Sequence, residues 1–125
     1  MSEPRTVLLV DDDPSFRRVM EYQLHEDGYR VLMAADMTSA LKQFKTGPID
    51  VVLTDVKMPG GDGMELLARL NAMQPDLPVV MLTAHGTIGA AVEAMKGGAF
   101  DFLTKPFTRE LLRLALAMTL DVAAL

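Results

Sequence analysis

The chain has 125 residues, half of them hydrophobic, which suffices for one domain with a real core and excludes a disordered chain. A formal net charge of -5 argues against direct nucleic-acid binding, which draws mainly on Lys and Arg against phosphate. The absence of cysteine excludes disulfides and thiolate metal sites and fits a reducing cytoplasm, and no apolar run reaches the ~18 residues of a membrane helix. The polar opening MSEPRT shows no signal peptide and leads straight into an apolar run, predicted as a strand over 7–10. Asp13 can cap a helix over 14–26, with Pro14 at its first position and Phe16, Val19, Met20 and Leu24 at helical spacing. Gly28 ends it, and a strand follows over 29–35 with Val31 and Met33 alternating.

A short helix over 38–45 carries Ala40, Leu41 and Phe44 and stops at Gly47-Pro48. The third strand covers 49–54, and MPGGDG over 58–63 reads as a turn rich in breakers. A helix over 64–73 puts Leu67 and Leu70 on one side, and the fourth strand covers 79–83. A weaker helix over 87–95 has Gly89 inside it and Gly97-Gly98 after it, before a fifth strand over 100–104. Thr108 can cap a last helix to about 120. Five strand–helix units in succession predict an α/β fold with a parallel sheet and right-handed crossovers, helices on both faces, as one domain over 1–125.

The polar residues at the strand ends carry the chemistry. Asp11 and Asp12 follow the first strand, Asp55 the third, Thr83 closes the fourth and Lys105 follows the fifth. In an open α/β sheet ligands bind beyond the carboxyl ends of the strands, so these side chains should converge. A lone Asp is usually a solvated loop residue or a cap, and Asp13 is read that way. Three carboxylates with one amine and one hydroxyl point instead to a divalent cation and a phosphoryl group, since clustered carboxylates need a compensating cation.

The segments VLLVDDD, TDVKMPGGDG, VVMLTAHG and GAFDFLTKPF, in this order, resemble the receiver domain of bacterial two-component response regulators. LTAHG and GAFDFLTKPF look most like the nitrogen-regulation (NtrC-type) class, whose members drive sigma-54-dependent transcription. The resemblance implies a flavodoxin-like sheet of strand order 2-1-3-4-5. It implies that Asp55 accepts a phosphoryl group from a histidine kinase, with Mg²⁺ bound directly by Asp12, largely through water by Asp11, and by Asp55 and the Lys57 backbone carbonyl. Thr83 matches the switch hydroxyl and Lys105 the family lysine, and the Lys105-Pro106 bond is often cis in the family. Phe102 stands where the family keeps a rotating aromatic, without the tyrosine hydroxyl common there. The implied output is a shift of the fourth helix, fifth strand and fifth helix surface that controls an output domain.

Such a chain is a signalling module, not a turnover enzyme, with Mg²⁺ as cofactor and a histidine kinase and its own output domain as partners. The last helix carries Leu111, Leu114, Met118, Val122 and Leu125 on one stripe and Leu112, Leu116 and Leu120 on the next. Packing accounts for one stripe; the other marks a homodimer surface or a helix running on into a longer regulator. Ala84 leaves space beside the site, while His85 reads as exposed loop and His25 as helix surface, neither a metal ligand.

Three other readings compete. A haloacid-dehalogenase-like phosphatase would use Asp11 as nucleophile, with Asp13, Thr83 and Lys105; it lacks a later acidic pair and gives MPGGDG no role. A pseudo-receiver would keep the fold without phosphorylation. A flavodoxin-like cofactor binder is opposed by DDDPSF, which would repel a cofactor phosphate.

Overall fold

The computed structural model describes residues 3–57, 63–84 and 87–123, with side chains through 121. Most of the predicted turn over 58–63, His85, the Val122 side chain and Leu125 lie outside the described residues. The chain alternates as β1 (Thr6–Val10), α1 (Pro14–Glu26), β2 (Arg30–Ala34), α2 (Met37–Phe44), β3 (Val51–Asp55), α3 (Gly63–Met73), β4 (Val79–Thr83), α4 (Ile88–Lys96), β5 (Asp101–Thr104) and α5 (Arg109–Ala123). The strands form one parallel sheet in the order β2-β1-β3-β4-β5.

The central strands β1, β3 and β4 are apolar along most of their length because both faces of the sheet are covered there. Leu8, Val10, Val52, Val79 and Met81 pack with Leu66, Leu67, Leu70 and Ala94 under α3 and α4. Their alternate neighbours Val7, Leu9, Val51, Leu53, Val80 and Leu82 pack with Met20, Leu24, Leu112 and Leu116 under α1 and α5.

Several element ends differ from the sequence prediction. Helix α2 starts at Met37 because Asp36 and Ser39 close a capping box, the Ser39 N–H donating to Asp36 Oδ1 at 2.8 Å. The Ser39 N–H and hydroxyl hold the Asp36 carboxyl below the usual carboxylate range. Because the value is lowered, the cap's contribution is fully present above the ordinary aspartate range and is lost as pH falls through the lowered value of the folded protein. Strand β3 begins at Val51, because the Asp50 carboxylate turns back to accept from the Thr6 N–H at 2.7 Å. It ends one residue later than predicted, so Asp55 lies on the ladder itself. Helix α5 runs past the predicted end to Ala123.

Other expectations hold in detail. Asp13 caps α1, accepting from the Ser15 and Phe16 N–H groups. Gly28 leaves α1 at φ +94, a conformation that side chains disfavour. In α5, Leu112, Leu116 and Leu120 are buried, whereas Leu111, Leu114 and Met118 are exposed. Helix α4 buries only Ala94 and leaves Ile88 86% exposed, with Val92 and Met95 also open. Arg109 of α5 donates to Asp27 at the end of α1 at 2.9 Å and locks those two helices together.

Candidate functional site

The sheet register builds the site. Val10 pairs with Thr54, so Asp11 and Asp55 follow on adjacent strands, and the Asp11 N–H still donates to the Ala34 carbonyl at 3.1 Å. Asp55 is level with Leu82, one residue before Thr83, and the Lys105 N–H donates to the Thr83 carbonyl at 2.7 Å. Four strand ends therefore deliver Asp11, Asp55, Thr83 and Lys105 to one edge of the sheet, with Asp12 beside Asp11.

The Lys105 ammonium bridges two of the carboxylates. Its Nζ lies 2.6 Å from Asp11 Oδ2 and 3.3 Å from Asp55 Oδ2. The Asp11 side chain is 1% exposed, those of Asp55 and Lys105 17% each. Asp11 is fully engaged: its other oxygen accepts from the Asp13 N–H at 2.9 Å, and its carbonyl accepts from Arg17 at 2.7 Å. Asp55 Oδ1 accepts from the Lys57 N–H at 3.1 Å. Asp12 is exposed, with no hydrogen bond to its carboxylate among the described residues.

Oxygens of Asp11, Asp12 and Asp55 lie within 4.8 Å of one another. The donor set is all oxygen, and one ammonium offsets three carboxylates, so the residues fit a hard divalent cation. The accessible partners are Asp55 and Asp12; Asp11 is buried behind its own bonds, which suits action through an intervening water.

Some positions that border the site escaped the sequence reading. Gly63 opens α3 with its N–H on the Val56 carbonyl at 2.6 Å, and a Cβ there would collide with the Asp55 carbonyl oxygen. Gly63→Ala is expected to cost about 1–3 kcal/mol, the usual range for overpacking, read as a lower urea midpoint. Phe16 and Phe107, the first read only as a helix-face residue, border Lys105 and line a cleft of about 420 Å³ with Ala84 at its margin. The spacing of Phe16 on α1 marks its core-facing side, and nothing local announces Lys105 as its neighbour.

Thr83 is buried at the end of β4, and Phe102 is half-buried on β5, level with Met81 and packed against the core under α3 and α4. The Lys105-Pro106 peptide bond is cis. His25 is exposed on α1, as its position predicts.

Residues 7–117 match the response regulator receiver domain family. Over 120 residues the chain is 43% identical to the C4-dicarboxylate transport transcriptional regulatory protein DctD of Pseudomonas aeruginosa, covering 95% of this chain and 26% of that protein. It is 38% identical over 122 residues to the transcriptional regulatory protein GlrR of Escherichia coli K12, covering 98% and 28%. The chain thus spans about a quarter of the length of these curated relatives. A crystal structure of a response regulator receiver domain protein from Clostridium thermocellum superposes with a TM-score of 0.88 at 36% identity, covering 94% of each chain.

Proposed function

The chain belongs to the response regulator receiver domain family, and from that membership we propose that Asp55 accepts a phosphoryl group from the phosphohistidine of a histidine kinase. The observation that carries this is the Lys105 ammonium held between Asp11 and Asp55, with Asp55 the more accessible carboxylate. An Asp55 oxygen forms the new P–O bond as the P–N bond to the kinase imidazole breaks, its electron pair staying on the imidazole. Such transfer depends on in-line positioning and charge neutralisation more than on a strong nucleophile.

Asp12, Asp55 and the Lys57 carbonyl would hold Mg²⁺, with Asp11 acting largely through water. When bound, the ion supplies the positive charge that lets phosphoryl oxygens approach a carboxylate. The Lys105 ammonium, 3.3 Å from Asp55 Oδ2, would neutralise charge on the phosphoryl group. The Thr83 hydroxyl can donate to a phosphoryl oxygen, drawing β4 toward it, and Phe102 can turn inward as that hydroxyl moves. Helix α4 is the element most easily displaced, because its anchorage is the single buried Ala94. A full switch requires phosphorylation to favour the active state by about 5.5 kcal/mol, within reach of a new dianion facing cations and a hydroxyl.

Residues 1–125 are then the receiver domain of a longer cytoplasmic regulator, of the sigma-54-dependent class that the relatives' transcriptional role favours. The domain acts by switching α4, β5 and α5 against its own output domain and turns over no substrate. The exposed Leu111, Leu114 and Met118 of α5 suit a homodimer contact. DNA contact is left to the output domain, given the net charge of -5. No helix among the described residues is long and apolar enough to cross a membrane.

Beryllofluoride, a phosphoryl stand-in, tests this. With Mg²⁺ it is expected to move the amide resonances of Asp55, Thr83, Phe102 and α4 together, and to move none of them in Asp55→Asn. Shifts confined to residues 11–13 would contradict the proposal.

A further inference from the structure

We propose that Phe16 is a positioning residue for Lys105, holding the ammonium against its ring face so that it stays aimed at Asp55. The proposal rests on the receiver reading and adds a residue to it. The Lys105 Nζ lies 3.9 Å from the Phe16 ring centroid, well inside the range of a cation–π contact. Phe107 meets the same ring edge-on, with centroids 6.3 Å apart and planes at 86°, which fixes its tilt and leaves a face for the ammonium. The Asp13 cap secures the other end, its carboxylate accepting from the Phe16 N–H at 3.3 Å.

The physical need is specific. A lysine ammonium is a point charge on a flexible four-carbon stem. Two of its protons face Asp11 Oδ2 and Asp55 Oδ2, and the shorter bond, 2.6 Å, is to Asp11, which takes no phosphoryl group in this reading. A third support of fixed position limits the collapse of the ammonium onto Asp11 and lowers the ordering cost of facing a phosphoryl group on Asp55. An aliphatic residue at position 16 could fill the same core space but would offer the charge nothing.

Two measurements on the intact chain decide it. The first is made before any phosphodonor is added: the Lys105 ε-methylene protons are expected upfield of the ordinary lysine range through the ring current, returning to it in Phe16→Leu. The second replaces Phe16 by phenylalanines of increasing fluorine content, which weaken the ring's negative face and barely change its shape. The rate of acetyl-phosphate uptake is expected to fall step by step along the fluorine series while the fold stays intact at the assay temperature, and to fall about three- to tenfold in Phe16→Leu, with recovery in Phe16→Tyr. An ordinary Lys105 shift in the unmodified protein, or a flat fluorine series, overturns the proposal. A protein that shows the shift yet never labels at Asp55 overturns the receiver reading and the positioning role with it, leaving the contact intact.

Discussion

Asp55→Asn is expected to fold normally and to take up no phosphoryl group from acetyl phosphate. The amide keeps the shape of the side chain and an oxygen that can accept from the Lys57 N–H, the bond now made by Asp55 Oδ1 at 3.1 Å. It has no carboxylate oxygen to bond to phosphorus, and the chemistry has no substitute: Asp11 is 1% exposed with both oxygens engaged, and Asp12 lies off the β3 ladder that presents position 55. Removing one of three clustered carboxylates also relieves repulsion, so stability should stay level or rise slightly. Uptake is read by intact mass and stability by urea unfolding. Uptake at the wild-type level in Asp55→Asn would remove the assigned acceptor.

Lys105→Met should show the second-largest effect, on both chemistry and stability. Loss of a charge donor aimed at the reacting group typically costs about 10²–10³-fold in rate, and uptake by the variant should fall by that order. The stability effect follows from the 2.6 Å pair with Asp11. Methionine fills the space but leaves a buried carboxylate without its cation. Breaking a buried pair costs about 3–5 kcal/mol, and the partial exposure of Lys105 lowers the expected loss to about 2–3 kcal/mol. Millimolar Mg²⁺ should restore part of that loss by binding the folded state alone, which raises the urea midpoint with little change in slope. A variant as stable as wild type without Mg²⁺ would show that Lys105 carries no structural share of the site.

The legible part of the molecule is the part that local pattern determines. All-apolar runs bounded by acids mark strands buried on both faces, and parallel strands send their carboxyl ends to one edge, so Asp11, Asp12, Asp55, Thr83 and Lys105 could be placed together from spacing alone. The start of α2 slipped because an Asp–Ser capping box outweighed apolar spacing. The last residue of β3 slipped because its ladder continues past the apolar run into Asp55. The rest depends on contacts between distant segments. Gly63 looked like one breaker among several, and its need is set by the Asp55 carbonyl that a side chain would strike. Phe16 showed only helical spacing, yet its ring faces the ammonium of Lys105 from the far end of the chain. The two apolar stripes of α5 were visible in sequence, and the structure shows which one the core uses: Leu112, Leu116 and Leu120 are buried, whereas Leu111, Leu114 and Met118 face outward.

The acceptor itself is the central claim, and one measurement addresses it directly. The protein is incubated with acetyl phosphate and Mg²⁺, digested under conditions that keep acyl phosphates intact, and the added mass is located by fragmentation. The label is predicted on Asp55, dependent on Mg²⁺ and absent from Asp55→Asn. A label on Asp11 that persists in Asp55→Asn and disappears in Asp11→Asn would contradict the account and favour a phosphatase-like use of the first strand.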